Sequence, residues 1–135
     1  MDRELIEKAR DLINRNLIST TLSTVDRDYN VNVAVITVLE MIDDQTILCA
    51  RFGADRTYAN LTQTGKGVFL VLLTDGETKD GIRVYVELAA DLTEGPLFDR
   101  MRARLDTKPY RDFPLKNCLV FRITDIQPVS TLKRA

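Results

Sequence analysis

Histidine is absent from the 135 residues. Its absence removes the commonest general base, the commonest metal ligand and the partner that activates serine or cysteine nucleophiles. Cysteine is scarce, and Cys49 and Cys118 both lie inside apolar runs. Without histidine they make no zinc site, and their setting is that of reduced core residues more than of a bridge. Neither sign of charge is in excess: 19 bases face 20 acids, for a net charge of -1. A protein whose main partner is nucleic acid needs a basic excess, so that class is excluded. The apolar runs are strand-sized, too short to cross a membrane as a helix, and the first residues lack a signal-peptide core. A cytoplasmic protein is expected, with neither a membrane nor a nucleic-acid partner. Walker and dinucleotide fingerprints are missing too. Gly65-Lys66-Gly67 has only a fragment of either and reads as a helix stop and turn. The acids are scattered, and no residue stands out as catalytic. Any chemistry is expected to come from a bound cofactor.

What is present is ordinary globular composition, 44% apolar and 29% charged, in a length that suits one domain over 1–135. Leu5, Ile6, Ala9, Leu12 and Ile13 recur at helical spacing behind Asp2, so a helix is predicted from about 2 to 15. Residues 17–25 read as a strand and 26–30 as a tight turn. The apolar run 31–42 reads as one long strand, and 46–51 as the next. Three strands in sequence joined by short polar turns predict an antiparallel meander. A short helix is predicted over 55–63, then an apolar strand over 68–73, a polar loop over 75–81 and an alternating strand over 82–92. Leu97, Phe98, Met101 and Leu105 predict a helix reaching about Asp106, with Arg100, Arg102 and Arg104 on a solvated face. Extended loop follows over 108–114, and a last strand over 118–126. Six strands that do not alternate regularly with helices favour a closed antiparallel barrel over a doubly wound sheet. The interior of a small barrel is filled by side chains, so a ligand is expected outside it or between subunits.

The stretch "ADRTYANL" at 54–61 carries the best candidate site. Asp55 is a competent N-cap, which makes a plain capped helix a sufficient explanation. The same geometry suits an anion, because first-turn N–H groups and the positive end of the helix dipole face outward. Arg56 adds charge-assisted donors, Thr57 a hydroxyl, and Asn60 lies one turn on. Asp55 competes for the same amides.

The order of these segments resembles the pyridoxamine-phosphate-oxidase-like FMN-binding split barrels. The likeness runs through "LSTVDRDYNVNVAVITVLEMIDDQTILCARFGADRTYANL" and continues in "GVFLVLL" and "IRVYVELAADL", covering about residues 15–126. It implies a mainly β (α+β) fold, a six-stranded antiparallel Greek-key split barrel with short flanking helices. It also implies a homodimer with FMN at the subunit interface, and a small-molecule electron donor or acceptor. By position, Arg56 and Thr57 match residues that hold the FMN phosphate, and Asn60 a polar position supporting them. Ala50 and Arg51 match the strand end beside the ribityl chain and phosphate. Val33, Ala34 and Val35 match the segment lining the isoalloxazine, and Arg83 a position where a Gln often reaches the cofactor. Asp55, Glu40 and Leu88 depart from the family pattern, where a small residue, a Lys and a Gly are frequent. The basic C-terminal signature of true pyridoxamine-phosphate oxidases is also absent, so vitamin B6 oxidation is not expected. Three functions stay open: a flavin-dependent oxidoreductase, a flavin electron carrier, and a barrel that uses a deazaflavin or no cofactor. Haem is disfavoured by the lack of histidine.

Overall fold

The Asp2 carboxylate accepts the Glu4 N–H at 2.8 Å and starts helix α1, Arg3–Asn14, whose Ile6, Ala9, Leu12 and Ile13 are buried. The computed structural model describes residues 2–17, 19–36, 38–53, 55–75, 78–107 and 109–129. Strand β1 is Thr21–Val25 and β2 is Val31–Val35. The turn between them is built on Asp26, whose carboxylate accepts the N–H groups of Asp28 and Asn30 at 2.8 and 2.9 Å. These bonds, led by those from Asn30, hold the Asp26 carboxyl below its usual pKa.

The run expected as one long strand is two. After β2 the chain re-enters the sheet as β3, Leu39–Met41, and turns into β4, Thr46–Arg51. The strand order is β2-β1-β5-β6-β7-β4-β3, so β2 pairs with β1 and β3 with β4, at opposite edges of the sheet. The expected meander is therefore replaced by two hairpins that bracket the sheet. Residues 36–38 join those edges, and so short a link spans no more than about 14 Å between the flanking Cα atoms. The sheet has to curl until its edges approach. Both ladders run into the joint: Ile36 N–H donates to Thr20 O at 3.0 Å, and Ala50 N–H to Val38 O at 3.2 Å. Counted by hydrogen-bonded elements there are seven strands; counting the bent β2–β3 segment once gives the six expected. The architecture is the mainly β split barrel that the resemblance implies.

Helix α2, Arg56–Thr64, ends at Gly65, whose φ of 71° is left-handed and turns the chain into β5. Strand β5, Lys66–Asp75, pairs along its whole length with the first part of β6, Thr78–Leu92, from Lys66 with Glu87 out to Asp75 with Thr78. The polar loop expected over 75–81 is thus mostly the tip of a hairpin, with 76 and 77 outside the described residues. Backbone bonds carry a ladder through polar positions as well as apolar ones. Helix α3, Pro96–Arg104, has Pro at its start, where the missing N–H costs nothing, and β7 is Asn117–Pro128.

The interior holds Leu22, Phe69, Val84 and Phe121, with Phe69 and Phe121 edge to face at 5.4 Å. A second apolar layer, including Leu48, Ala50, Met101 and Val120, lies under α3. Strand β4 is buried on both faces as a result, which explains its unbroken apolar run Ile47–Ala50. Cys49 and Cys118 are free and buried, as expected.

Candidate functional site

Strand β4 delivers Arg51 to the start of α2, and a cavity of about 250 Å³ opens where they meet the β2–β3 joint. Val35, Ile36 and Val38 wall it from the joint, Ala50, Arg51 and Phe52 from β4, and Asp55, Thr57 and Tyr58 from the first turn of α2. Phe113 closes one side and stands edge to face with Phe52 at 5.3 Å.

Asp55 resolves the competition raised by its carboxylate. It folds back as the N-cap and accepts the Tyr58 N–H at 2.9 Å. The N–H groups of Arg56 and Thr57, in the first turn, have no acceptor within the helix. Thr57 is buried and its Oγ1 accepts from Asn32 Nδ2 at 3.0 Å, which leaves its own proton available for donation. Arg56 is exposed beside it. Among the described residues it makes no hydrogen bond or ion pair through its side chain.

Arg51 is half-buried, and its guanidinium lies 3.6 Å from the centroid of the Tyr58 ring. One arm donates to Asn117 Oδ1, while its buried Nε has no partner. Asn117 Nδ2 donates to Asp91 Oδ1 at 2.7 Å, and the Tyr58 hydroxyl donates to Asp91 Oδ2. That bond to Asp91, reinforced by burial, raises the Tyr58 pKa and keeps the phenol protonated. No carboxylate pairs directly with Arg51 among the described residues. The wall therefore carries spare donors beside a guanidinium that no carboxylate pairs with, while the Asp55 carboxylate is turned back onto the helix start.

The structure brings Val35, Ala50, Arg51 and Thr57 together at this cavity; Arg56 precedes Thr57 in the first turn of α2 but is not one of the lining residues. Asn60 sits one turn below, 1% exposed, and its Nδ2 donates to Thr24 Oγ1 at 3.1 Å. It supports α2 from beneath and does not line the cavity. Val33 points outward and Ala34 is half-buried opposite Leu22, both just before the joint. Arg83 is elsewhere: it lies on β6 opposite Leu70 and Gln127, with Nη2 donating to Pro128 O at 2.8 Å. Tyr58, Asp91, Asn117 and Phe113 were not foreseen. The Tyr58 ring packs against the body of the protein while its hydroxyl reaches β6.

Glu40 is also explained. It projects under α3, where Arg100 pairs with it at 2.5 Å and Arg104 at 3.5 Å. Two of the three arginines expected on a solvated face are thus tied to β3, and the carboxylate is neutralised away from the cavity. A larger hollow of about 360 Å³ lies on the outer face of β1, β5 and β6. Its charged groups are Lys66 and Glu87, and no helix start opens into it, so it lacks the first-turn amides that the smaller cavity offers an anion. No group of three or more metal-ligating side chains occurs among the described residues, and no helix there is long and apolar enough to cross a membrane.

The chain matches the crystal structure of an FMN-binding protein from Syntrophomonas wolfei subsp. wolfei with 72% identity and a TM-score of 0.94, over 98% of this chain and 91% of that one. A protein from Lactobacillus delbrueckii assigned as a pyridoxamine 5'-phosphate oxidase matches with 18% identity and a TM-score of 0.70, over 94% and 93% of the two chains. The haem storage protein HutZ from Vibrio cholerae matches with 12% identity and a TM-score of 0.65, over 91% and 93%. At such identities the last two share the fold alone. No family model matches the chain, and no curated protein does.

Proposed function

Since the chain belongs to the pyridoxamine 5'-phosphate oxidase-like split-barrel family, we propose that it binds FMN in the cavity at the β2–β3 joint and serves as a flavin-dependent oxidoreductase. The observation that carries this reading is one wall: Arg51, the Thr57 hydroxyl and the first-turn amides of α2 converge there. A phosphate is the kind of anion that a guanidinium, a hydroxyl and first-turn amides bind together. The opposite wall, Val35, Ile36 and Val38, is apolar and suits the remainder of the cofactor. The buried Arg51 Nε without a partner fits the same assignment. The 72% relative being an FMN-binding protein supports it independently.

Bound FMN supplies one- or two-electron transfer through its ring system. The chain's own part is to grip the phosphate with Arg51, Arg56 and Thr57, and to exclude water with the joint and Phe113. Haem is a poorer fit, because the sequence has no histidine and both thiols are buried.

The reading includes a homodimer. Val31, Val33 and Val35 form an outward row on β2, exposed to 70, 62 and 67%. An apolar row of that kind beside an open cavity suits a second subunit that completes the site. Arg83, on the outer sheet face, would reach a cofactor only across such an interface. A cytoplasmic setting accords with two free thiols.

The test is flavin uptake. Purified protein mixed with FMN should retain yellow flavin absorption through gel filtration and elute as a dimer. Colourless protein after that treatment refutes the reading. Steady nicotinamide oxidation with an added electron acceptor then supports an enzyme; tight FMN without turnover supports the carrier.

A further inference from the structure

We propose that Asp91 is a positioning residue that presets Arg51 for the phosphate and so sets preference for FMN over unphosphorylated flavin. The proposal rests on the FMN reading above. An arginine on a strand end has several soft torsions, and an unconstrained one loses much entropy when a ligand fixes it. Arg51 is constrained twice. Stacking on Tyr58 at 3.6 Å fixes the plane of the guanidinium, and the bond to Asn117 Oδ1 fixes its rotation in that plane.

Both constraints trace back to one carboxylate. Asp91 Oδ2 accepts the Tyr58 hydroxyl, and Oδ1 accepts Asn117 Nδ2 at 2.7 Å. The second contact also decides which end of the Asn117 amide faces Arg51. With the NH2 directed to Asp91, the carbonyl oxygen is left to accept from the guanidinium. Four residues from β4, α2, β6 and β7 thus close a ring around the charge: Arg51, Tyr58, Asp91 and Asn117. Arg51 and Tyr58 line the cavity, whereas Asp91 and Asn117 do not. Asp91 therefore acts through its neighbours. It also leaves the guanidinium without a direct carboxylate partner, so the positive charge stays available to an anion.

The experiment compares dissociation constants for FMN and riboflavin, by quenching of flavin fluorescence, in wild type, Asp91→Asn, Tyr58→Phe and Arg51→Met. Asp91→Asn is expected to weaken FMN about tenfold, one charge-assisted contact's worth, with riboflavin changed less than about twofold. Tyr58→Phe keeps the stacking ring and deletes one donor, and is expected to weaken FMN about threefold with the same selectivity. Arg51→Met sets the limit and should remove most of the preference for FMN. If Asp91→Asn fails to fold, Tyr58→Phe, which loses a single hydroxyl, carries the test. Equal losses for the two flavins, or an unchanged FMN-to-riboflavin ratio in Asp91→Asn and Tyr58→Phe, overturn the assignment while leaving FMN binding intact. Wild-type protein that binds neither flavin overturns the FMN reading, and this assignment with it.

Discussion

Replacing Arg56 with Ala separates a binding residue from a capping residue. Arg56 is the first residue of α2, is exposed, and makes no side-chain hydrogen bond or ion pair among the described residues. A cation at a helix N-terminus opposes the helix dipole, at a cost of about 0.3–1 kcal/mol. Alanine also has the higher helix propensity. Removing Arg56 should therefore leave stability unchanged or raise it, with Tm shifting upward by at most about 4 °C for a chain of this size. Binding should move the other way. One or two charge-assisted hydrogen bonds to a phosphate contribute about 1.5–3 kcal/mol, so the FMN dissociation constant should rise about 10- to 150-fold. Because the side chain is exposed, the loss should shrink as salt is raised and screening sets in. Fluorescence titration at low and at physiological ionic strength, beside a thermal melt, measures all three quantities. A lower Tm with unaltered FMN affinity would refute the reasoning and leave Arg56 as a residue of the helix start and nothing more.

Asp55→Ala should lower stability by about 1 kcal/mol through loss of the cap on Tyr58 N–H, yet tighten FMN binding by removing a carboxylate from the cavity wall; a melt and a titration together check it, and weaker binding contradicts it. Burial pushes the Cys49 thiol up to about 12 and the Cys118 thiol to about 11, so neither should react with a thiol reagent at pH 8 until the protein unfolds. The same raised values mean that their contribution to stability is full below the usual thiol pKa of 9.0 and is lost as pH rises from there through 11 and 12, which alkaline denaturation midpoints measure. A Cβ on Gly81 would stand 2.4 Å from the Val71 carbonyl oxygen, so Gly81→Ala should destabilise by about 2–3 kcal/mol or more, read from urea unfolding.

The elements of the fold were legible wherever one signal dominated. Asp2 and the 3.6-residue spacing after it gave α1 to within a residue at each end, and Asp55 and Gly65 bounded α2. Two features were hidden. The run 31–42 is largely apolar, and periodicity cannot register a break between two pieces that pair with different neighbours. Val31, Val33 and Val35 are solvent-facing while Leu39 and Met41 are interior, a change of environment that composition conceals. The hairpin tip after β5 was hidden for the opposite reason. Its residues are polar, and its ladder depends on backbone pairing that no side-chain pattern reports.

The site divides along a different line, that of sequence separation. Contacts within one turn of helix, such as Asp55 to Tyr58, follow from the order of residues and were readable as a cap. The contacts that aim Arg51 span 66 residues to Asn117, 26 more from Asn117 to Asp91, and 33 from Tyr58 to Asp91. Only the barrel closure brings them together. Each of these residues looks unremarkable in its own segment: an asparagine opening a strand, an aspartate closing one, a tyrosine on a helix face. The cation is legible because a single arginine at a strand end before a helix already suggests an anion. Its orientation is not, because orientation belongs to the tertiary ring. Affinity for a phosphate depends on both, since a charge that must first be immobilised binds more weakly than one already held. The sequence could therefore nominate residues for the site, while the geometry that ranks them is a property of the fold.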